Sequence, residues 1–280
     1  MLDCPPGRGR EGRAEGAFLD AAVILMRAAL LLYAAGFLTA LVATFREGSR
    51  VGRATIVIAA AGALSHTAGM FALAAGLGRC PLGSLPEVLA MFAWVSILIY
   101  LGVYWRFRLP VLHLVVLPLA LIVLLISDIL PGTLFPVGVE LEDTVLRLHL
   151  GTIILGTGAL TLAFAASLAY LLVDAALKAK KPSRSIRVLP SLSACDRLGR
   201  VALLVALPLL TFGIVTGAVV NAARYGHAWP SQPREVLALL AWLLLAVVVV
   251  AREGWGWRGR RSALLTLFGF SLLILRMVWF

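Results

Sequence analysis

Four histidines, His66, His113, His149 and His227, carry most of the chemistry open to this chain. A neutral imidazole is a good metal ligand and proton carrier near neutral pH, and each of the four has a different setting. His66 lies between Ser65 and Thr67 inside a long run of small apolar residues. A polar ring there is costly in hydrocarbon and points either to a ligand or to a helix-helix hydrogen bond. His149 follows the acidic stretch Glu140, Glu142 and Asp143 and opens another apolar run, so it is placed to meet a ligand from outside. His227 stands in a short segment with Tyr225, Trp229, Pro230 and Pro233, whereas His113 follows Arg106 and Arg108, a setting for interfacial packing. Trp105, Trp255, Trp257 and Trp279 flank apolar runs as membrane-belt anchors do. Trp229, in its turn of Gly and Pro, is less readily explained that way. The cysteines Cys4, Cys80 and Cys195 are scattered and form neither a Cys-x-x-Cys pair nor a ligand cluster. Nothing resembles a nucleophile-base pair, a P-loop or a His-Glu-x-x-His site, which argues against a hydrolase or an ATPase.

The elements that must position these residues are membrane spans. Of the 280 residues 61% are hydrophobic and 14% charged, with a mean hydropathy of +0.97, against about a quarter charged in soluble domains. Apolar runs of about 20 residues cross a bilayer as helices. They lie near Phe18–Phe45, Ala54–Leu77, Val88–Trp105, Pro110–Leu130, Leu148–Ala175, Val201–Ala223, Val236–Ala251 and Ala263–Phe280. The pattern predicts an all-α, polytopic membrane bundle of about eight transmembrane helices. Its expected organisation is a polar N-terminal extension, 1–16, and a single membrane domain, 17–280, with no internal repeat evident.

The net charge of +11 comes from Lys and Arg in the connections, with no soluble module to carry a nucleic-acid site. The odd-numbered connections are rich in them: Arg46, Arg50 and Arg53; Arg106 and Arg108; Lys178, Lys180, Lys181, Arg184, Arg187, Arg197 and Arg200; Arg252, Arg258, Arg260 and Arg261. The even ones hold only Arg79, Arg147, Arg224 and Arg234. Basic residues mark the cytoplasmic side, so the expected placement is a bacterial inner membrane with both termini extracytoplasmic. His149 and His227 then share the extracytoplasmic face. Lys178 to Arg200, with Pro182 and Pro190, is expected to be a cytoplasmic loop.

Several segments carry a resemblance when taken in order. Gly78-Arg79-Cys80-Pro81-Leu82-Gly83-Ser84-Leu85-Pro86-Glu87 precedes Trp94. Leu148-His149-Leu150 opens a long small-residue helix ending Ser167-Leu168-Ala169-Tyr170-Leu171. Pro208-Leu209-Leu210-Thr211-Phe212-Gly213-Ile214-Val215-Thr216-Gly217 is followed by Pro233-Arg234-Glu235, Trp242, Gly256-Trp257-Arg258-Gly259-Arg260-Arg261 and Gly269-Phe270. From Ser65 to Phe270 the chain resembles the CcsA and HemX-like branch of the cytochrome c assembly family. It departs from that family in its loop Tyr225-Gly226-His227-Ala228-Trp229-Pro230-Ser231-Gln232-Pro233, where haem-presenting members carry a tryptophan-rich Trp-Gly-x-x-Trp-x-Trp-Asp-Pro segment. It also lacks a histidine in Val236 to Arg252 and a further extracytoplasmic histidine near its end.

The resemblance implies a haem-binding, haem-handling membrane factor in extracytoplasmic assembly of c-type cytochromes, as a subunit of a haem-attachment complex without a catalytic motif of its own. Its implied partners are the lipid bilayer, haem, a CcsB-like membrane protein and an apocytochrome c with reduced Cys-x-x-Cys-His thiols. No Cys-x-x-Cys-His occurs in this chain, so the haem is expected to be haem b, held non-covalently. His66 and His149 are the histidines that match. Haem iron needs only one strong protein ligand, so the expected cofactor site is His149 on the iron, with His66, His227 and Trp229 as further contacts. Loss of the tryptophan-rich loop favours an alternative, a HemX-like protein that regulates haem synthesis through its basic loop. A weaker alternative is a small-solute transporter using Asp20, Arg27 and Asp128.

Overall fold

Hydrocarbon offers no partner for a backbone N–H or C=O, so a spanning segment must satisfy its own hydrogen bonds. The computed structural model, which describes residues 8–45, 49–107, 109–131, 144–179, 191–228 and 232–278, answers this with helices. They are α1 (Arg8–Phe45), α2 (Ser49–Leu77), α3 (Leu85–Phe107), α4 (His113–Ile129), α5 (Thr144–Lys178), α6 (Leu192–Tyr225), α7 (Pro233–Gly254) and α8 (Arg260–Val278), with a 3-10 turn at Pro110–Leu112. Six of the eight, α1, α2, α3, α5, α6 and α7, are long and apolar enough to cross a membrane, and α4 is a shorter apolar helix. The chain is a multi-pass helical membrane protein, as its composition predicts.

The helix ends reach further than the apolar runs. Helix α1 starts at Arg8, so much of the polar N-terminal segment is helical, and α6 starts at Leu192 rather than Val201. The Ser191 side chain caps α6 by accepting from the Ala194 N–H at 3.2 Å. A polar first turn is compatible with a helix because its N–H groups favour an oxygen cap and a nearby carboxylate such as Asp196. The predicted loop Lys178 to Arg200 is therefore shortened at its C-terminal end, and residues 180–190 lie outside the described ones.

A repeat not evident in the sequence shows in the packing of the helices. The chain folds as two four-helix units, α1–α4 and α5–α8, with matching packing. In each unit the first two helices pair along most of their length, the third lies on the fourth, and the fourth closes on the first. Helix α3 and the 3-10 turn join the units by packing on α5. Short local signals repeat too. Ser84 Oγ donates to Glu87 at 3.0 Å ahead of α3, and Gln232 and Glu235 form a reciprocal capping box at the start of α7. Seven residues after each glutamate a tryptophan indole N–H donates to a threonine on the preceding helix. Trp94 reaches Thr67 at 2.8 Å and Trp242 reaches Thr211 at 2.9 Å. Two residues beyond each threonine, Gly69 lies against Met26 of α1 and Gly213 against Ile153 of α5. Single-sequence patterning misses this because the repeated residues are few and spread over separate helices.

The α2–α3 connection is further braced by Arg79, whose guanidinium grips Glu87 at 2.8 and 2.9 Å. These hydrogen bonds raise the Arg79 pKa above its ordinary value.

Candidate functional site

Helix α5 enters the bundle two turns ahead of its small-residue stretch, and His149 lies there against α6. The approach depends on glycine: a Cβ on Gly217 would stand 2.7 Å from His149 Cε1, so any larger residue would push the ring away. One turn earlier on α6, the Gly213 carbonyl lies 2.8 Å from His149 Nδ1, and the Thr216 hydroxyl is 3.3 Å from the same nitrogen. Thr216 itself donates to the Phe212 carbonyl at 2.7 Å. A carbonyl oxygen can only accept, so Nδ1 carries the proton and donates. The lone pair of the neutral ring then belongs to Nε2. Proteins commonly orient a metal-binding histidine in this way, with one ring N–H held by a backbone carbonyl. His149 is half-buried, which leaves the site near the end of the bundle.

His227 belongs to the same end. It follows the C-terminus of α6, just after the left-handed Gly226 at φ 74°, and is exposed. From Gly217 to Tyr225 the helix rises roughly 12 Å, so His227 stands about two turns beyond the His149 ring. Trp229 lies outside the described residues, as do Glu140, Glu142 and Asp143. Among the described residues no three His, Cys, Asp or Glu side chains converge on one point.

The structure does not bring His66 beside His149. His66 is in the first unit, fully buried, with its Nδ1 at 3.3 Å from the Tyr33 hydroxyl of α1 and its Nε2 without a partner among the described residues. It therefore meets the helix-helix reading through Tyr33 and still presents one unsatisfied nitrogen, which in a low-dielectric interior is costly. His113 is buried rather than interfacial. Its Nδ1 is hydrogen-bonded to the Tyr100 hydroxyl and its ring lies 4.9 Å from that of Tyr104. The 3-10 turn before α4 tucks this ring inward, which its position beside two arginines does not reveal. Of the transport candidates, Arg27 and Asp128 bond to one another at 3.3 Å across α1 and α4, and Asp20 is exposed on α1.

Sequence reasoning missed the groups that orient His149, namely the Gly213 carbonyl, Thr216 and Gly217. A signal was present: Gly213-x-x-x-Gly217 is the small-residue spacing that lets a neighbouring helix approach closely.

Comparison with known proteins bears on this site. Residues 82–279 match the family model described as cytochrome C assembly protein. The chain is 30% identical over 221 residues to the cytochrome c biogenesis protein CcsA of Parasynechococcus marenigrum (strain WH8102), covering 70% of this chain and 72% of that one. It is 28% identical over 250 residues to CcsA of Synechococcus sp. (strain CC9605), covering 80% and 82%. Among solved structures, the cytochrome c haem lyase CcmF superposes with a TM-score of 0.67 at 15% identity. That match covers 95% of this chain and 46% of CcmF, so it speaks for a shared fold over less than half of the larger protein.

Proposed function

As this chain belongs to the cytochrome c assembly protein family, we propose that it is a haem-handling membrane factor in c-type cytochrome assembly, with His149 as the residue that meets the haem iron. The observation that carries the assignment is the hydrogen bond from His149 Nδ1 to the Gly213 carbonyl, which leaves the lone pair on Nε2. Haem b, held non-covalently, is the cargo, and it supplies the vinyl groups to which apocytochrome thiols are joined. The chain's own residues bind and orient. Gly213 and Thr216 hold the His149 proton on Nδ1, Gly217 gives the ring room, and the apolar α5–α6 wall excludes water. His227 and Trp229, of the α6–α7 connection, are the further haem contacts in this reading, and His66 is a second, deeper one in the other unit. The Lys and Arg distribution supports a bacterial inner membrane with both termini outside the cytoplasm. A CcsB-like membrane protein and an apocytochrome c are the partners this role calls for.

One observation favours a second reading. The α6–α7 connection runs Tyr225-Gly226-His227-Ala228-Trp229-Pro230 in place of a tryptophan-rich haem-presenting loop, as in a HemX-like protein that influences haem synthesis without transferring haem. The two readings separate on haem content. Protein purified in detergent after expression with added haem, assayed by absorption and pyridine haemochrome, is expected to hold near-stoichiometric haem. His149→Ala is expected to lose it, with His227→Ala intermediate. Well-folded wild-type protein without haem would favour the regulatory reading and leave the histidines as packing groups.

A further inference from the structure

At the end of the bundle opposite His149, α5, α6 and the α7–α8 connection form a cavity of about 300 Å3, widely open to the surface and lined by Tyr170, Leu192, Ser193, Asp196, Arg258 and Gly259. Asp196, in its lining, belongs to a group of paired charges. The Arg252 guanidinium, whose side chain is only 6% exposed, reaches Asp196 Oδ1 at 2.9 Å, the Asp196 carbonyl at 3.1 Å and Ser262 Oγ at 2.6 Å. Arg252 Nε is buried, with no hydrogen-bond partner among the described residues. The Gly259 N–H also donates to Asp196 Oδ1 at 3.4 Å. The Asp196 charge is therefore already matched from within the protein. Arg258 is the cation that lines the cavity, and the nearby Glu253 carboxylate, which also feels its charge, is paired with Arg200.

The connection is shaped to carry Arg258 over the start of α6. Gly259 has φ 75°, and a Cβ there would stand 2.7 Å from the Tyr170 hydroxyl, so both backbone and space demand glycine. The first N–H groups of α6, at Leu192 and Ser193, have no intrahelical acceptor, and the Tyr170 hydroxyl and the Ser193 hydroxyl, itself 3.1 Å from Ser191 Oγ, line the same cavity. This set is specific to the second unit. In the register that relates Thr67 with Thr211, Asp196 corresponds to Gly52, which has open space around it.

We infer that this cavity binds the phosphate-bearing headgroup of an anionic glycerophospholipid, with Arg258 as the main electrostatic contact. Two observations favour lipid over a soluble ligand. Trp255 is 71% exposed and pairs with Trp257 at 6.4 Å in the same connection, which sets the cavity at headgroup depth. The volume is at the lower end of roughly 300–1,000 Å3 for small-molecule sites and takes a compact headgroup, not a macrocycle. The inference is independent of the haem site, from which the cavity is separated by the length of the bundle.

The test is native mass spectrometry of the full-length detergent-purified protein after exchange with phosphatidylglycerol or phosphatidylcholine, for wild type, Arg258→Gln and, as a control at the same end, Arg106→Gln. Wild type is expected to retain phosphatidylglycerol preferentially. Arg258→Gln is expected to weaken that retention by roughly fivefold, as for one surface arginine, while Arg106→Gln and the haem content of all three stay unchanged. Equal retention of the two lipids by wild type, or equal loss in both variants, would overturn the assignment. Displacement of bound phosphatidylglycerol by inorganic phosphate would overturn it in favour of a soluble phosphate site.

Discussion

In α1–α4 the histidines are turned inward, whereas in α5–α8 polar groups lie at the two ends. His66 is paired with Tyr33 and His113 with Tyr100, all four side chains buried. The residue of the second unit in the register of His66 is Leu210, also buried, and the polar groups of that unit are His149 at one end and the Asp196, Arg252 and Arg258 group at the other. The closures differ as well: α4 reaches α1 through Asp128 and Arg27, but α8 reaches α5 through Phe270 and Phe164, with ring centroids 4.5 Å apart. One packing plan thus serves two tasks. The tryptophan-threonine latches and glycine contacts hold either unit together, and function follows from where each unit places its few polar side chains.

The sharpest way to break the comparison is at Asp196 and Gly52. Asp196→Ala leaves the buried Arg252 charge without its carboxylate, and a loss of about 3 kcal/mol is expected by thermal or denaturant unfolding in detergent. Gly52→Ala in the corresponding place meets nothing within 4 Å and is expected to be neutral or stabilising by up to about 1 kcal/mol. Equal effects would dissolve the asymmetry.

Next in size are the close glycines. Gly62→Val would collide with the Tyr33 ring, 2.7 Å from the new Cβ, and should cost about 1–3 kcal/mol of stability. Gly217→Val displaces His149, and its expected signature is a loss of haem of roughly tenfold or more, about 1.4 kcal/mol in binding. A Gly217→Val protein that keeps its haem spectrum would remove His149 from the site.

The smallest effects should come from the latches. Trp94→Phe and Trp242→Phe each remove one hydrogen bond, worth about 0.6 kcal/mol within a membrane bundle. Matched shifts in melting temperature would support the equivalence of the two units. A shift confined to one would limit the repeat to backbone shape.

Much of the fold was legible because a membrane makes the helix signal local. Each apolar run announces itself without reference to its neighbours, and the runs near Phe18, Ala54 and Val236 correspond to α1, α2 and α7. The polar first turns of α1 and α6 were not legible, since an apolar window stops where charges begin although the backbone continues. Of the site, His149 and its place at a helix start were readable from its residue type and surroundings. Its neighbours were not, because Gly213, Thr216 and Gly217 are unremarkable residues until α6 is laid against α5.

By itself, then, the sequence determined that this is a multi-pass helical protein, where its spans lie and which histidines are worth testing, since these depend on side-chain polarity along a single segment. Only the tertiary structure decided which nitrogen of His149 carries the proton, that His66 meets Tyr33, that Arg252 and Asp196 share a charge pair, and that the two halves repeat. Those facts rest on contacts between helices distant in the chain, and their register is set by close packing of glycine and small side chains, which no single segment encodes.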